Sequence, residues 1–374
     1  MSSNTAMPEN TAAWLMAEKA NPLVVKSSTY TAAGPNEIVV RTAAVAINPL
    51  DWMKQDTGSF VCPWVKYPFV MGSDIAGEVV EVGRGVTRFK VGDRVMGHSV
   101  GMDEKQNRSA EGSFQTFTIL LAHMASPIPA SMSYESACVI PLGASTAACG
   151  LFQEDQLNLQ YPSVTSKPTG ETVIIWGGAT SVGLNAIQLA KAAGYEVITT
   201  ASPKNFELVK HLGATKVFDY RSKTVVADII RALDQKKVAG ALTMGRGAAE
   251  ACRDILKHCH GKKFIAMATY PSLATPPTSL VLLRTILNFI SWNISHWVTC
   301  KARGIGSKFI FGTTLAHNGV GKALYENYFP QALADNLFTP SPEPQVIGHG
   351  LKFIQPAMDL QKEGVSAKKV VVTL

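Results

Sequence analysis

The chain has 374 residues, 46% of them hydrophobic and 17% charged, and its 35 Lys and Arg against 28 Asp and Glu leave a net charge of +7. This composition excludes a disordered chain, a collagen-like repeat and a small disulfide-stapled scaffold, and the length suits about two domains with their own cores. The basic residues are dispersed rather than gathered in a tract, which argues for a solvated surface and against nucleic-acid binding.

The opening residues, MSSNTAMPENTAAWLM, have acid and amide groups where a secretory leader needs a basic stretch and an apolar run. Cys62, Cys138, Cys149, Cys252, Cys259 and Cys300 form no C-x-x-C pair and no regular framework. They are expected to be reduced, mostly buried thiols of a cytoplasmic protein. Short β-rich runs follow at Glu37 to Ala46, Ala76 to Val82, Asp93 to Met96 and Phe114 to Leu120, broken often by Gly and Pro. Such punctuation predicts a small barrel-like β domain.

Residues 153–170, polar and with two prolines, are read as a surface loop, after which the pattern changes. Thr172 to Trp176 (TVIIW) is an apolar run suited to a strand buried on both faces, and Ser181 to Gly194 is helical. Strands at Glu196 to Thr200, Lys216 to Phe218, Val238 to Thr243 and Lys263 to Ala268 then alternate with helices at Pro203 to Leu212, Thr224 to Leu233 and Ala248 to His258. The alternation predicts right-handed crossovers and a parallel, doubly wound sheet.

Ser279 to Val298 is long enough to suggest a membrane span, but Arg284, Asn288, Ser291 and Ser295 fall on one helical face. An amphipathic helix at a pocket rim or subunit interface is expected, without stable membrane insertion. Lys308 to Gly312 suits another strand and Gly319 to Asn336 a helix. The closing Lys368 to Leu374 (KKVVVTL) is a strand expected to return to the N-terminal β half. The predicted domains are therefore 1–150 with 337–374, and 151–336.

Directly after TVIIW stands Gly177-Gly178-Ala179-Thr180-Ser181-Val182-Gly183, a Gly-rich turn between a strand and a helix. In that context backbone N–H groups and the helix N-terminus hold a dinucleotide pyrophosphate. Gly178 and Gly183 take the first and third positions of G-x-G-x-x-G, and Thr180 replaces the middle glycine. The next strand runs into Thr200-Ala201-Ser202-Pro203-Lys204, with no carboxylate to accept from a ribose 2′-hydroxyl. Ser202 can instead donate to a 2′-phosphate and Lys204 can neutralise it, with Tyr220 as a further neighbour, so NADPH is the expected cofactor.

With these turns, the segments Ala46-Ile47-Asn48-Pro49-Leu50-Asp51, Pro68-Phe69-Val70-Met71-Gly72-Ser73-Asp74-Ile75-Ala76-Gly77 and Val91-Gly92-Asp93-Arg94-Val95 complete a pattern. The chain resembles the medium-chain dehydrogenase/reductase superfamily, and within it the quinone-oxidoreductase and enoyl-reductase branch and fungal zinc-binding-dehydrogenase-like proteins. The resemblance implies an α/β protein with a GroES-like β-rich catalytic domain and a Rossmann doubly wound domain. Family alcohol dehydrogenases hold zinc through Cys, His and Cys, whereas this chain has Asn48, Ser73 and Leu142 near those places, and 97–114 lacks the cysteines of a structural zinc lobe. No metal is expected.

Without a Lewis acid, oxidation of a simple alcohol has nothing to stabilise the alkoxide, whereas an activated C=C needs only hydrogen-bond donors for its enolate. The expected reaction is NADPH-dependent reduction of an enone, enoyl group or quinone, as in fungal secondary metabolism. Its substrate is a free small molecule or an acyl-carrier-tethered chain, and the protein is a monomer or homodimer. The resemblance implies that Thr146 contacts the nicotinamide carboxamide and that Asn48, Asp51 and Lys54 lie near the reacting end. Phe60 stands where some enoyl reductases place a proton-donating tyrosine, so the proton comes from water, Lys54 or Tyr67. The substitutions Phe60 and Ala241 also motivate an alternative, an NADPH-binding protein without redox turnover.

Overall fold

The computed structural model describes residues 8–269 and 281–374. The chain divides into two compact units, residues 1–145 with 316–374 and residues 146–315.

The first unit opens on β1 (Asn10–Leu15), β2 (Val24–Ser28) and the long, largely buried β3 (Glu37–Ala46). Pro49, with its φ preset for a first helical residue, starts α1 (Pro49–Thr57), and Gly58 closes it at φ +60°. The strands β4 (Phe69–Val70), β5 (Asp74–Val82), β6 (Arg94–His98), β7 (Phe117–Leu121) and β8 (Ala125–Pro127) follow, and then the helices α2 (Tyr134–Ala137) and α3 (Pro141–Phe152).

The second unit alternates β9 (Glu171–Trp176), α4 (Ser181–Ala192), β10 (Glu196–Ala201), α5 (Phe206–His211), β11 (Lys216–Asp219), α6 (Val225–Ala232), β12 (Lys237–Thr243) and α7 (Ala248–Leu256). It ends with β13 (His260–Gly261), β14 (Phe264–Met267), α8 (Val281–Ala302) and β15 (Gly306–Phe309). Its strands are all parallel, in the order β11-β10-β9-β12-β14-β15 with β13 beside β12. Val173, Ile174 and Ile175 of the central β9 are fully buried, as an apolar run covered on both faces requires.

The chain then returns to the first unit through α9 (Gly319–Lys322), a π-helical stretch Ala323–Tyr328, α10 (Phe329–Ala334), β16 (Glu343–His349), α11 (Ile354–Glu363) and β17 (Lys368–Thr373). β17 lies between β16 and β3 and runs antiparallel to β3, so the C-terminal strands share one sheet with strands of the N-terminal half, ordered β16-β17-β3-β5-β6-β8 with β7 also on β3, while β1 lies between β2 and β4 in a sheet of its own. Residues 316–336, expected in the second domain, cluster with the first unit. The cause is Tyr325, fully buried, whose hydroxyl bonds to Ser145 Oγ at 2.8 Å and donates to the Pro141 carbonyl, while Arg88 donates to the Tyr325 carbonyl.

The amphipathic helix also differs from expectation. Arg284, Ser291 and Ser295 of α8 are exposed, but so are the apolar Leu287, Ile290, Ile294, Trp297 and Val298. The covered strip is instead Trp292, His296 and Cys300, at i, i+4 spacing, with Trp292 and Cys300 packed in the same cluster as Ile305 and Phe309. Ser279 and Leu280, the start of the segment singled out in the sequence, lie outside the described residues. Among the described residues the stretch Tyr134–Phe152 is long and apolar enough to cross a membrane, and 78% of its apolar 18-residue window is buried inside the protein. All six cysteines are buried thiols.

Candidate functional site

The Gly-rich turn follows β9 in the second unit. Gly177 adopts φ +91°, and the N–H groups of Gly177 and Gly178 are tied to Thr200 at the end of β10 (3.0 Å to Oγ1, 2.8 Å to the carbonyl). A Cβ on Gly178 would lie 2.1 Å from Thr199 Oγ1, and one on Gly183 would lie 2.3 Å from the Gly177 carbonyl oxygen, so both positions exclude a side chain. Thr180, the departure from the motif, is the N-cap of α4. Its hydroxyl accepts from Gly183 N at 3.0 Å and donates to the Gly177 carbonyl at 2.8 Å, fixing the turn on the helix end.

The capping leaves room for an anion. The N–H groups of Ser181 and Val182 at the start of α4 meet no acceptor among the described residues, and Ser181 Oγ is buried without a partner. Free N–H groups at the positive end of a helix, an orphaned hydroxyl and two positions where only glycine fits form a cradle suited to a pyrophosphate. A dinucleotide would be held by Gly178 to Gly183.

Ser202 and Lys204 follow the end of β10, Ser202 half-buried and Lys204 exposed, and neither side chain engages another group among the described residues. The register Ala201↔Asp219 sets the end of β11 beside them. There the Tyr220 hydroxyl accepts from Arg221 Nε at 3.2 Å, and the guanidinium lies 5.2 Å from the Tyr220 ring centre. Arg221 is a second cation at this edge that sequence reasoning missed, although its place beside Tyr220 was visible. Asp219 accepts from the Arg221 backbone N–H.

In the first unit, Asn48, Asp51, Asp74 and Lys369 form a buried polar network. Asn48 opens α1, and its N–H donates to Asp51 Oδ2 at 2.8 Å. Its side-chain amide donates to Asp74 Oδ2 at 2.8 Å and to the Ala46 carbonyl at 3.3 Å, while Oδ1 accepts from Lys369 Nζ at 2.5 Å. Lys369 also pairs with Asp74 at 2.9 Å, and the other Asp74 oxygen accepts from Leu142 N at 2.6 Å. Burial, with a contribution from Asp74, pushes the Asp51 carboxyl up to about 7 against the N–H groups of Asn48 and Gly72 and the charge of Lys369. Burial likewise lowers the His98 imidazole to about 4, and neither ring nitrogen has a partner among the described residues.

Lys54, expected near the reacting end, is tied to the backbone in the structure. Its side chain is fully buried, and its ammonium donates to the carbonyls of Gly58, Val61 and Cys62 at 3.0–3.1 Å. An ammonium has three protons to donate, so Lys54 ties down the end of α1 and has none left for a substrate. Asn48 is similarly committed, since both amide N–H bonds are used inside the network. The Tyr67 hydroxyl is buried without a partner among the described residues, 5.1 Å separating its ring centre from Lys54 Nζ. Thr146, in the second unit, is half-buried.

Two family models match the chain, the Alcohol dehydrogenase GroES-like domain over residues 34–130 and Zinc-binding dehydrogenase over residues 181–268. The chain is 57% identical to dehydrogenase pigH of Monascus ruber, over 98% of this chain and 100% of that protein. It is 33% identical to trans-enoyl reductase himH of Aspergillus japonicus, over 98% of this chain and 97% of that one. Among solved structures, an alcohol dehydrogenase superfamily protein from Novosphingobium aromaticivorans matches its fold with a TM-score of 0.72 at 23% identity, covering 98% of this chain and 99% of the other.

Proposed function

The chain belongs to the medium-chain dehydrogenase/reductase superfamily, whose members use a nicotinamide cofactor, and from that premise we propose that it is a zinc-independent, NADPH-dependent reductase of an activated C=C or quinone. The observation that carries the reading is the state of Asn48. Where the family's alcohol dehydrogenases would need a thiolate, an amide stands, and its donors are spent on Asp74 and Ala46. Ser73 and Leu142 complete a set that does not fit a zinc ion, Leu142 having no ligating side-chain atom. The similarity to a trans-enoyl reductase over nearly the whole chain supports the same reaction class.

NADPH, when bound, supplies the hydride. An activated C=C would take that hydride at its β-carbon and a proton at its α-carbon, and the part of this chain's own residues is to hold the cofactor and deliver the proton. Gly178 to Gly183 hold the pyrophosphate, with Ser181 Oγ as a further donor. Ser202 and Lys204 hold the 2′-phosphate, and Tyr220 and Arg221 border it. Thr146 orients the carboxamide through its hydroxyl. Of the proton sources expected from the sequence, Lys54 is spent on backbone carbonyls, which leaves water and Tyr67. The substrate is a free small molecule or an acyl-carrier-tethered chain.

The test is purified protein with NADPH and a panel of enones, enoyl thioesters and quinones, following absorbance at the nicotinamide band. Oxidation with at least one class is expected. Stabilisation by NADPH without oxidation by any of them would instead favour the binding-only alternative. Lys204→Ala should weaken NADPH about tenfold or more while leaving NADH nearly unchanged, since one charge-assisted contact to phosphate is worth about 1.5–3 kcal/mol. Equal losses for both cofactors would remove the 2′-phosphate assignment.

A further inference from the structure

The second unit contains a pocket that neither the Gly-rich turn nor the ends of β10 and β11 account for. It lies between α8 and the ends of β14 and β15, has a volume of about 330 Å³, and is walled by Met267, Phe289, Trp292, Trp297 and Phe309. In a parallel sheet, ligands bind beyond the carboxyl ends of the strands, and this pocket opens at the same ends of the sheet as the Gly-rich turn after β9.

Of its polar lining residues, Thr269, Asn293, His296, Ser307 and Lys308, His296 is the buried one, only 4% exposed. The imidazole stacks on Trp292 with ring centres 4.5 Å apart and planes 8° from parallel, and Trp292 Nε1 donates to Glu250 Oε1 at 2.5 Å. This wall is therefore held in place before any ligand arrives. His296 Nε2 is 3.4 Å from Cys300 Sγ, while Nδ1 is buried without a partner among the described residues. Burial, aided by the nearby Arg253 and opposed by Glu250, lowers the imidazole below its ordinary value, so the ring is neutral at pH 7. A neutral imidazole has one donor and one acceptor nitrogen, and leaving a buried one unpaired is unfavourable.

We propose that this pocket binds an uncharged, flat aromatic or conjugated ligand that carries a hydroxyl, with the rings among the aromatic walls and the hydroxyl on His296 Nδ1. A hydroxyl both donates and accepts, so it satisfies Nδ1 in either tautomer, which a plain hydrocarbon cannot. The cation at the rim, Lys308, is already paired with Asp155, so no free charge here calls for an anionic ligand. Assignment of this ligand as the substrate's aromatic or conjugated part rests on the reductase reading, whereas the binding itself does not.

The full chain without cofactor is titrated calorimetrically with 2-naphthol and with naphthalene. Saturable binding of 2-naphthol is expected, about tenfold tighter than naphthalene, the factor that one hydrogen bond of about 1.4 kcal/mol gives. His296→Phe should remove that advantage and leave naphthalene bound as before. Trp297→Ala, at an exposed position that the fold does not need, should weaken both probes. Failure of 2-naphthol to saturate the wild type, equal affinity for the two probes, or wild-type binding by both variants would overturn the proposal. Because no NADPH or acceptor is present, failure of the reductase assay leaves this result standing, and failure here leaves the reductase assay standing.

Discussion

An ammonium buried away from water is stable only when every N–H finds an acceptor, and Lys54 achieves this through three carbonyls grouped at the end of α1. Lys54→Met keeps the length of the side chain and leaves those carbonyls unpaired. The expected loss is roughly 2–4 kcal/mol in urea unfolding, with kcat of the folded fraction little changed. A large fall in kcat at unchanged stability would restore Lys54 as a chemical participant. Asp51 permits a prediction with a sign. Its native value near 7 lies above the unfolded carboxylate value, so between those limits the native state keeps a proton that the unfolded chain releases. Its contribution to stability is therefore fully present below about pH 4 and is lost as pH rises through about 7. Against Asp51→Asn, which cannot titrate, the wild type should lose about 3 kcal/mol from about pH 4 to about pH 7. A difference that stays constant with pH would show the carboxyl to be ionised throughout.

The turn after β9 is an element whose sequence and structure agree, because most of what shapes it is contiguous, with Thr199 and Thr200 of β10 as the distant contacts. The apolar strand, the two glycines and the helix start are contiguous, and Thr180 performs the joining that a middle glycine leaves to the backbone alone. Gly183→Ala brings a methyl group against the Gly177 carbonyl and the Gly178 Cα, both main-chain atoms that cannot turn aside. Destabilisation of about 1–3 kcal/mol and loss of the thermal shift given by NADPH are expected. Retention of that shift would mean that the pyrophosphate does not rest here. Other elements were hidden for physical reasons. Pro141–Phe152 is buried almost all round, so it shows no amphipathic period to read. On α8 the covered strip consists of Trp292, His296 and Cys300, a mixed set that a search for an apolar face passes over. The buried network depends on distance along the chain: Lys369 meets an Asn48 that is 321 residues away, and neither residue announces the other.

At the scale of the molecule, the two units differ in how the chain builds them. The second is one continuous segment around a parallel sheet, while the first needs residues from both ends. Its last strand, β17, is inserted between β16 and β3, with Val370, Val371 and Val372 fully buried and Lys369 supplying the cation that faces Asp74. Removing Lys368 to Leu374 thus exposes three valine sites, worth about 1.5–3 kcal/mol each, and strands a buried carboxylate. That sum is comparable with the whole stability of an ordinary domain, about 5–15 kcal/mol. A chain ending at Ala367 should therefore fail to fold its first unit. The second unit keeps its sheet and its Gly-rich turn, because none of their strands comes from the deleted segment. Limited proteolysis with mass spectrometry should find the first unit digested and a fragment close to residues 146–315 surviving, with added protection from NADPH. Equal resistance of both units in the shortened chain would mean that the returning strand is dispensable, and the shared sheet would then not be what holds the two ends together.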